Sequence, residues 1–105
     1  MLNYSDSDLP AKDIAIFYAK KINSQIAEEF FSGKRSLASA EEAMEVANAF
    51  WKITELASND HLNNISILND VDLEFWMHKL FNKIYGYYER NGFKDQWKIA
   101  EEKSI

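Results

Sequence analysis

Apolar residues recur along most of this chain at the 3.6-residue period of an α-helix, and that period constrains the fold more than any other feature of the sequence. One series comprises Ile14, Tyr18, Ile22, Ile26 and Phe30, each four residues after the last. Residues four apart lie on one face of a helix, whereas a half-buried strand would alternate at every second residue. Only three Gly and one Pro occur in 105 residues, which is too little turn chemistry for a many-stranded sheet. We therefore predict an all-α fold.

Capping signals divide the sequence into four main helices within a single helical domain, residues 1–105. The first helix is predicted to begin near Leu9, with Pro10 in its first turn, where the missing N–H costs nothing. It is predicted to run to about Ser32 and to stop at Gly33, since glycine is the preferred residue just beyond a helix.

The second helix is predicted from its capping box. Ser39 and Glu42 are three residues apart, so each side chain is expected to accept a hydrogen bond from the other residue's backbone N–H. The helix is predicted to end at residues 58–60, and its apolar stripe to consist of Ala43, Val46, Ala47, Phe50, Ile53, Thr54 and Ala57. Residues 61–69 are rich in Asn and Ser, which favour turns over helix interiors. We interpret them as a short fifth helix or a 3₁₀ turn.

The third main helix is rich in aromatic residues and has a cap at each end. Asn69 or Asp70 is predicted to cap its start, and Asn91-Gly92 to stop it. A last helix follows. The ends of the chain, residues 1–8 and 101–105, are predicted to fray. Because the connections are short, neighbouring helices are expected to run antiparallel, as in an up-and-down bundle.

The first helix carries apolar residues on two faces rather than one. Its second face includes Ile16, Phe17 and Phe31. A helix that is apolar on two sides is either central in the bundle or shared with a partner. We therefore expect these three residues to be covered by the last helix or by a second subunit in a two-fold homodimer.

Negative charge is concentrated in the middle of the sequence. The chain has 17 acidic and 12 basic residues, for a formal net charge of −5. Between Lys52 and Lys79 there is no Lys or Arg. The five carboxylates in that interval are Glu55, Asp60, Asp70, Asp72 and Glu74. A patch of one sign repels phosphate and attracts basic molecules over about 8 Å at physiological salt. We therefore predict a basic protein partner and no direct binding to nucleic acid.

Phe75 is the expected aromatic anchor of this surface. It lies nearly opposite the apolar stripe of its own helix, so a role in the core does not account for it. Exposed apolar residues that cluster mark interfaces. The predicted partner-binding site therefore consists of Phe75 and the five carboxylates.

The sequence favours neither catalysis nor a metal or other cofactor. It has no cysteine, which excludes disulfides, thiolate zinc sites and cysteine nucleophiles. Glu74 and His78 are four residues apart and lie on the same side of one helix. A single Glu-His pair on the polar side of a helix is more often a solvated pair of surface residues than a metal site. Neither a glycine-rich phosphate loop nor a nucleophile elbow is present.

No uncharged apolar run approaches the roughly 20 residues that cross a bilayer, and the acidic N-terminus does not resemble a secretory signal. A cytoplasmic protein without membrane contact is therefore expected.

Three functions are consistent with these observations. The first is a protein-binding module, resembling toxin-immunity proteins or regulatory inhibitors only in charge and architecture, which docks on a basic partner. The second is an obligate homo-oligomer with a structural role. The third is a small-ligand binder with a cavity lined by the aromatic residues, which make up 14% of the chain.

Overall fold

The structure is a computed structural model that describes residues 9–62 and 73–103. All secondary structure in these residues is helical, which confirms the all-α prediction. The helices are α1 (Leu9–Lys21), α2 (Gln25–Phe31), α3 (Ala40–Leu62), α4 (Leu73–Arg90) and α5 (Lys94–Lys103). The predicted short helix at 61–69 lies outside the described residues except for residues 61 and 62, which belong to α3. The predicted fraying of 1–8 is also outside them, whereas 101–103 continue α5.

The prediction of one helix from Leu9 to Ser32 is wrong, because the chain breaks between α1 and α2. Asn23 adopts the left-handed conformation, with φ of 59°. The N–H of Ser24 donates to the Ala19 carbonyl and that of Asn23 to the Lys20 carbonyl, at 3.0 and 3.1 Å. These two bonds form a Schellman motif. Ser24 then caps α2, since its Oγ accepts from the N–H of Ala27 at 3.4 Å.

Asn23→Ala distinguishes a broken helix from a continuous one. If the helix is broken at residue 23, Ala must adopt a positive φ, which is sterically unfavourable for it. We therefore expect the free energy of unfolding to fall by about 1 kcal/mol. In a continuous helix the same change would raise stability by roughly 0.5 kcal/mol, because Ala has the higher helix propensity. Urea denaturation measures the difference. Gly33→Ala is the matched control, since Gly33 also has a positive φ, of 84°, and open space around the added methyl.

The capping box at the start of α3 forms with a change of partner. Ser39 Oγ accepts from the N–H of Glu42 at 3.1 Å, as predicted. The Glu42 carboxylate, however, accepts from the N–H of Ala38 at 3.0 Å. Its other oxygen accepts from Arg35, 3.1 Å away, which also donates to Glu29 of α2 at 2.8 Å. Arg35 therefore ties α2 to the start of α3.

Helix α3 is the centre of the fold, since it contacts each of the other four described helices. Its buried stripe agrees with the predicted one and consists of Ala43, Val46, Ala47, Phe50, Ile53 and Ala57. The helix ends later than predicted, at Leu62. Together with Ile14 and Tyr18 of α1 and Tyr88 of α4, this stripe supplies the largest fully buried side chains.

Aromatic rings from α3, α4 and α5 pack around Trp97. This indole is 2% exposed, and its ring centroid lies 5.1–5.4 Å from those of Phe50, Trp51, Phe81 and Tyr88. The contacts are tilted or edge-on, as the charge distribution of aromatic rings favours. Helix α5 therefore packs on α3 and α4, not on the second face of α1.

Three tyrosine hydroxyls tie the helices together. Tyr88 donates to the Ala43 carbonyl at 2.6 Å, which joins α4 to α3. Tyr87 accepts from the N–H of Leu37 at 2.9 Å, which fixes the connection before α3. Tyr18 of α1 donates to Oδ2 of Asp60 near the end of α3 at 2.6 Å. This last hydrogen bond orients Asp60, one of the predicted site residues.

Candidate protein-interaction site

The structure describes the side chains of two of the five predicted carboxylates. Glu55 and Asp60 lie in the second half of α3. Asp70 and Asp72 are outside the described residues. Glu74 belongs to the first turn of α4, and its side chain is likewise outside the described part. The acidic surface built from all five therefore stays a prediction.

Glu55 and Asp60 each have a lysine beside them, although no Lys or Arg lies between Lys52 and Lys79 in the sequence. Lys52 Nζ lies 3.6 Å from Glu55 on the same helix. Lys21 Nζ, which comes from α1, lies 3.9 Å from Asp60 Oδ2. Glu55 and Asp60 therefore have cations nearby in the folded protein. Lys52 reaches Glu55 because the two are three residues apart on one helix, and Lys21 reaches Asp60 because α1 packs on α3.

Asp60 is the more constrained of the two. Its side chain is 19% exposed, and one oxygen is held by the Tyr18 hydroxyl. Burial, and then this bond to a carboxylate, raise the pKa of Tyr18 well above that of a tyrosine in water. The hydroxyl thus stays protonated and keeps donating to Asp60 through the physiological pH range. Lys21 completes this group and is 56% exposed.

Two exposed apolar side chains border the sequence interval between α3 and α4. The described residues expose four large ones, Phe17, Leu62, Phe75 and Ile99, at 38, 80, 52 and 41%. Leu62 ends α3 and Phe75 is the third residue of α4, so the two flank the sequence interval that contains Asp70 and Asp72. Phe17 is linked to Asp60 through Lys21, whose Nζ lies 5.8 Å from the Phe17 ring centroid.

Phe75 occupies the exposed position that its spacing predicted. Lys79, one turn later on the same helix, places its Nζ 5.5 Å from the ring centroid. A cation over an aromatic face is an attractive contact. Phe75 therefore has at least one positive charge beside it.

The three residues predicted to form an oligomer interface do not share an exposed face. Phe31 is 5% exposed and belongs to the core, Ile16 is half-buried, and Phe17 is 38% exposed. On one straight helix, Phe17 and Phe31 would lie within about 40° of each other. The break at Asn23 places them on different helices, so that Phe31 points into the protein.

Two open grooves on the described surface are lined mainly by polar residue types. One of about 690 Å³ runs beside the junction of α1 and α2, against Lys20, Gln25 and Glu28. A second, of about 620 Å³, lies between α2 and α3, against Arg35, Glu41 and Glu45. A smaller groove, of about 250 Å³, lies between α3 and α5 and is lined by Trp51 with Lys52, Glu55 and Lys103.

The described residues contain no cluster of three or more His, Asp or Glu side chains that could hold a metal ion. The ring of His78 stacks on that of Phe81 at 6.3 Å, with an angle of 6° between the planes. Among residues 9–62 and 73–103, no helix combines the length and apolar character needed to cross a bilayer.

Comparison with known proteins finds no family model that matches the chain, and no curated protein or solved structure that resembles it.

Sequence reasoning missed Tyr18, Lys21 and Leu62 as members of this site. Phe17 and Lys21 are four residues apart, a spacing at which a lysine reaches an aromatic ring on the same helix. That signal was available in the sequence. The contact of Tyr18 with Asp60 was not, because it joins residues 42 positions apart.

Proposed function

We propose that this protein is a non-enzymatic, cytoplasmic protein-binding module that docks a basic protein partner. The proposed site includes Glu55, Asp60, Asp70, Asp72, Glu74 and Phe75, on an up-and-down arrangement of the main helices. The observation that carries the proposal is the exposure of Leu62 and Phe75 on either side of the interval with Asp70 and Asp72.

Apolar and charged residues have separate tasks in such a site. Exposed aromatic and aliphatic anchors supply most of the affinity at interfaces, in pockets that exclude water. Surrounding charges mainly raise the association rate and select the partner. Because Lys52 and Lys21 partly compensate Glu55 and Asp60, steering of a basic partner depends chiefly on Asp70, Asp72 and Glu74. Proteins that inhibit nucleases or regulate nucleic-acid-binding proteins can work by this physics.

The test compares apolar truncations that are matched in exposure. A partner is first captured from the native host and purified, and its binding kinetics are then measured. We expect Phe75→Ala to speed dissociation about tenfold or more and Leu62→Ala to act in the same direction. Ile99→Ala is the control, since Ile99 is 41% exposed but lies on α5. Its expected change is less than about twofold.

Charge reversal tests the second half of the proposal. Asp72→Lys combined with Glu74→Lys is expected to slow association and to flatten its dependence on salt. If the captured partner is acidic, or if the Phe75, Leu62 and Ile99 variants all dissociate at the wild-type rate, the proposal is wrong.

The two alternatives have less support. A cavity lined by aromatic residues needs several rings that face empty space. The rings around Trp97 pack on one another, and Trp51 lines a groove of only about 250 Å³ with Lys52, Glu55 and Lys103. An isologous dimer through Ile16, Phe17 and Phe31 needs all three on the surface, and Phe31 is 5% exposed.

A further inference from the structure

Two aromatic rings and a carboxylate converge on the ammonium group of Lys21. Its Nζ lies 5.8 Å from the ring centroids of both Phe17 and Tyr18. The two rings are perpendicular, with centroids 5.0 Å apart. The same Nζ lies 3.9 Å from Asp60 Oδ2. We call the group formed by Phe17, Tyr18 and Asp60 the cation corner.

The cation corner has the chemistry of a cation-binding site. Lys21 Nζ lies over the rings of both Phe17 and Tyr18, and recognition of ammonium ligands by proteins uses such aromatic walls. A carboxylate adds full charge to the ring attraction. Because the chain's own lysine already occupies this point, the geometry is shown to accept a cation.

Asp60 is held in place independently of Lys21. The Tyr18 hydroxyl donates to Oδ2 at 2.6 Å, so the carboxylate keeps its orientation when the lysine leaves. Lys21 itself is held loosely, since its side chain is 56% exposed and its distance to Asp60 is near the limit for an ion pair. Exposed ion pairs of this kind contribute little. The corner is thus preformed, and its present occupant is easily exchanged.

We propose that the cation corner receives an arginine side chain of the basic partner, which replaces Lys21. This inference depends on the proposed function for the existence of that partner. A guanidinium group is planar and less strongly hydrated than an ammonium group, stacks on aromatic rings, and donates two parallel hydrogen bonds to a carboxylate. Arginine therefore interacts more strongly than lysine with the three groups of the cation corner, which favours replacement of Lys21 by the partner's arginine.

The experiment needs no partner, because a short peptide supplies the side chain. The probe is the blocked pentapeptide Gly-Gly-Arg-Gly-Gly, and the comparison probe has citrulline, which has nearly the same shape and no charge, in place of Arg. Binding is followed at low salt by the amide and aromatic NMR signals of the full-length protein. We expect the Arg peptide to shift the signals of Phe17, Tyr18 and Asp60, and the citrulline peptide to shift none of them.

Two variants separate exchange at the corner from a general effect of charge. Lys21→Met removes the competing ammonium group from the corner and is expected to tighten binding of the Arg peptide about two- to fivefold. Lys52→Met is the matched control, because Lys52 is also 56% exposed and also pairs with a carboxylate, that of Glu55. It is expected to leave the affinity unchanged. Adding Asp60→Asn to Lys21→Met keeps an acceptor for Tyr18 and is expected to abolish binding.

The inference is wrong if Lys21→Met and Lys52→Met raise the affinity for the Arg peptide equally. It is also wrong if the Arg and citrulline peptides shift the NMR signals equally, or if the shifted signals lie outside α1 and the end of α3. The proposed function fails by a different result, since it depends on dissociation rates of the Phe75 and Leu62 variants. Peptide binding at the corner and partner binding at Phe75 can each be lost while the other is retained.

Discussion

Replacing Trp97 with Ala is expected to lower the free energy of unfolding by about 3–5 kcal/mol, the largest single effect anticipated in this protein. Trp97 is 2% exposed and is the ring that α5 places among those of α3 and α4. Truncation removes its ring contacts and leaves a cavity that rigid helices refill only in part. Small domains have a total stability of about 5–15 kcal/mol, so the variant is expected to be close to unfolding at room temperature.

Urea denaturation followed by far-UV circular dichroism measures this loss. Ile99→Ala provides the control, because Ile99 lies on the same helix but is 41% exposed. Its expected effect is within about 0.5 kcal/mol. Trp97→Phe keeps a ring at the same place and is expected to lose less than the Ala variant. A loss below about 1 kcal/mol for Trp97→Ala would contradict the packing of α5 described above.

The second large effect is expected for Tyr88→Phe, at about 1–3 kcal/mol near neutral pH. The Tyr88 hydroxyl is fully buried and donates to the Ala43 carbonyl at 2.6 Å. Phenylalanine has no hydroxyl, so the buried Ala43 carbonyl loses the hydrogen bond that Tyr88 donates. Burial, and to a smaller extent the neighbouring Tyr87, raise the pKa of Tyr88 well above its ordinary range.

This raised pKa makes the protein sensitive to alkali. Tyrosine in the unfolded chain loses its proton near pH 10, whereas folded Tyr88 keeps it. The contribution of Tyr88 is therefore fully present below about pH 10. Above that pH the unfolded state binds fewer protons than the native state, so stability falls as the pH rises, by about 1.4 kcal/mol per pH unit for this one group. Tyr18 acts in the same direction.

Denaturation at pH 7, 10 and 11 measures this dependence. Between pH 10 and 11 the free energy of unfolding of the Tyr88→Phe variant is expected to fall by about 1 kcal/mol less than that of the wild-type protein. Tyr85→Phe, which changes a half-buried tyrosine of the same helix, is the control and is expected to follow the wild type more closely. If the Tyr88 variant and the wild type lose equal amounts, burial of the hydroxyl does not govern alkaline stability.

Helix type and core faces could be predicted from the sequence where the apolar period is strong. The stripe of α3 through Phe50 and Ile53 is buried as predicted, because a sustained 3.6-residue pattern has one way to cover its apolar side. The break at Asn23 was missed for the same reason. Ile22 and Ile26 keep the four-residue spacing across it, so periodicity masks the Asn-Ser pair that ends one helix and begins the next.

The candidate site could be predicted only in part. Phe75 is exposed because its position lies outside the stripe of its helix, which the sequence reveals. The charges around the site depend on tertiary contacts, which the sequence does not reveal. Lys21 comes from a helix 39 residues before Asp60 and still pairs with it, so counting charges along the chain overestimated the negative potential.

The position of Trp97 near one end of the sequence also has a consequence for synthesis. Ribosomes deliver the N-terminal part first, at about 5–20 residues per second. Trp97 follows Trp51 by 46 residues, so the central helix emerges about 2–9 s before the ring that covers its aromatic face. During that interval Phe50 and Trp51 lack this partner. We therefore expect the aromatic core to close only after α5 has been synthesised.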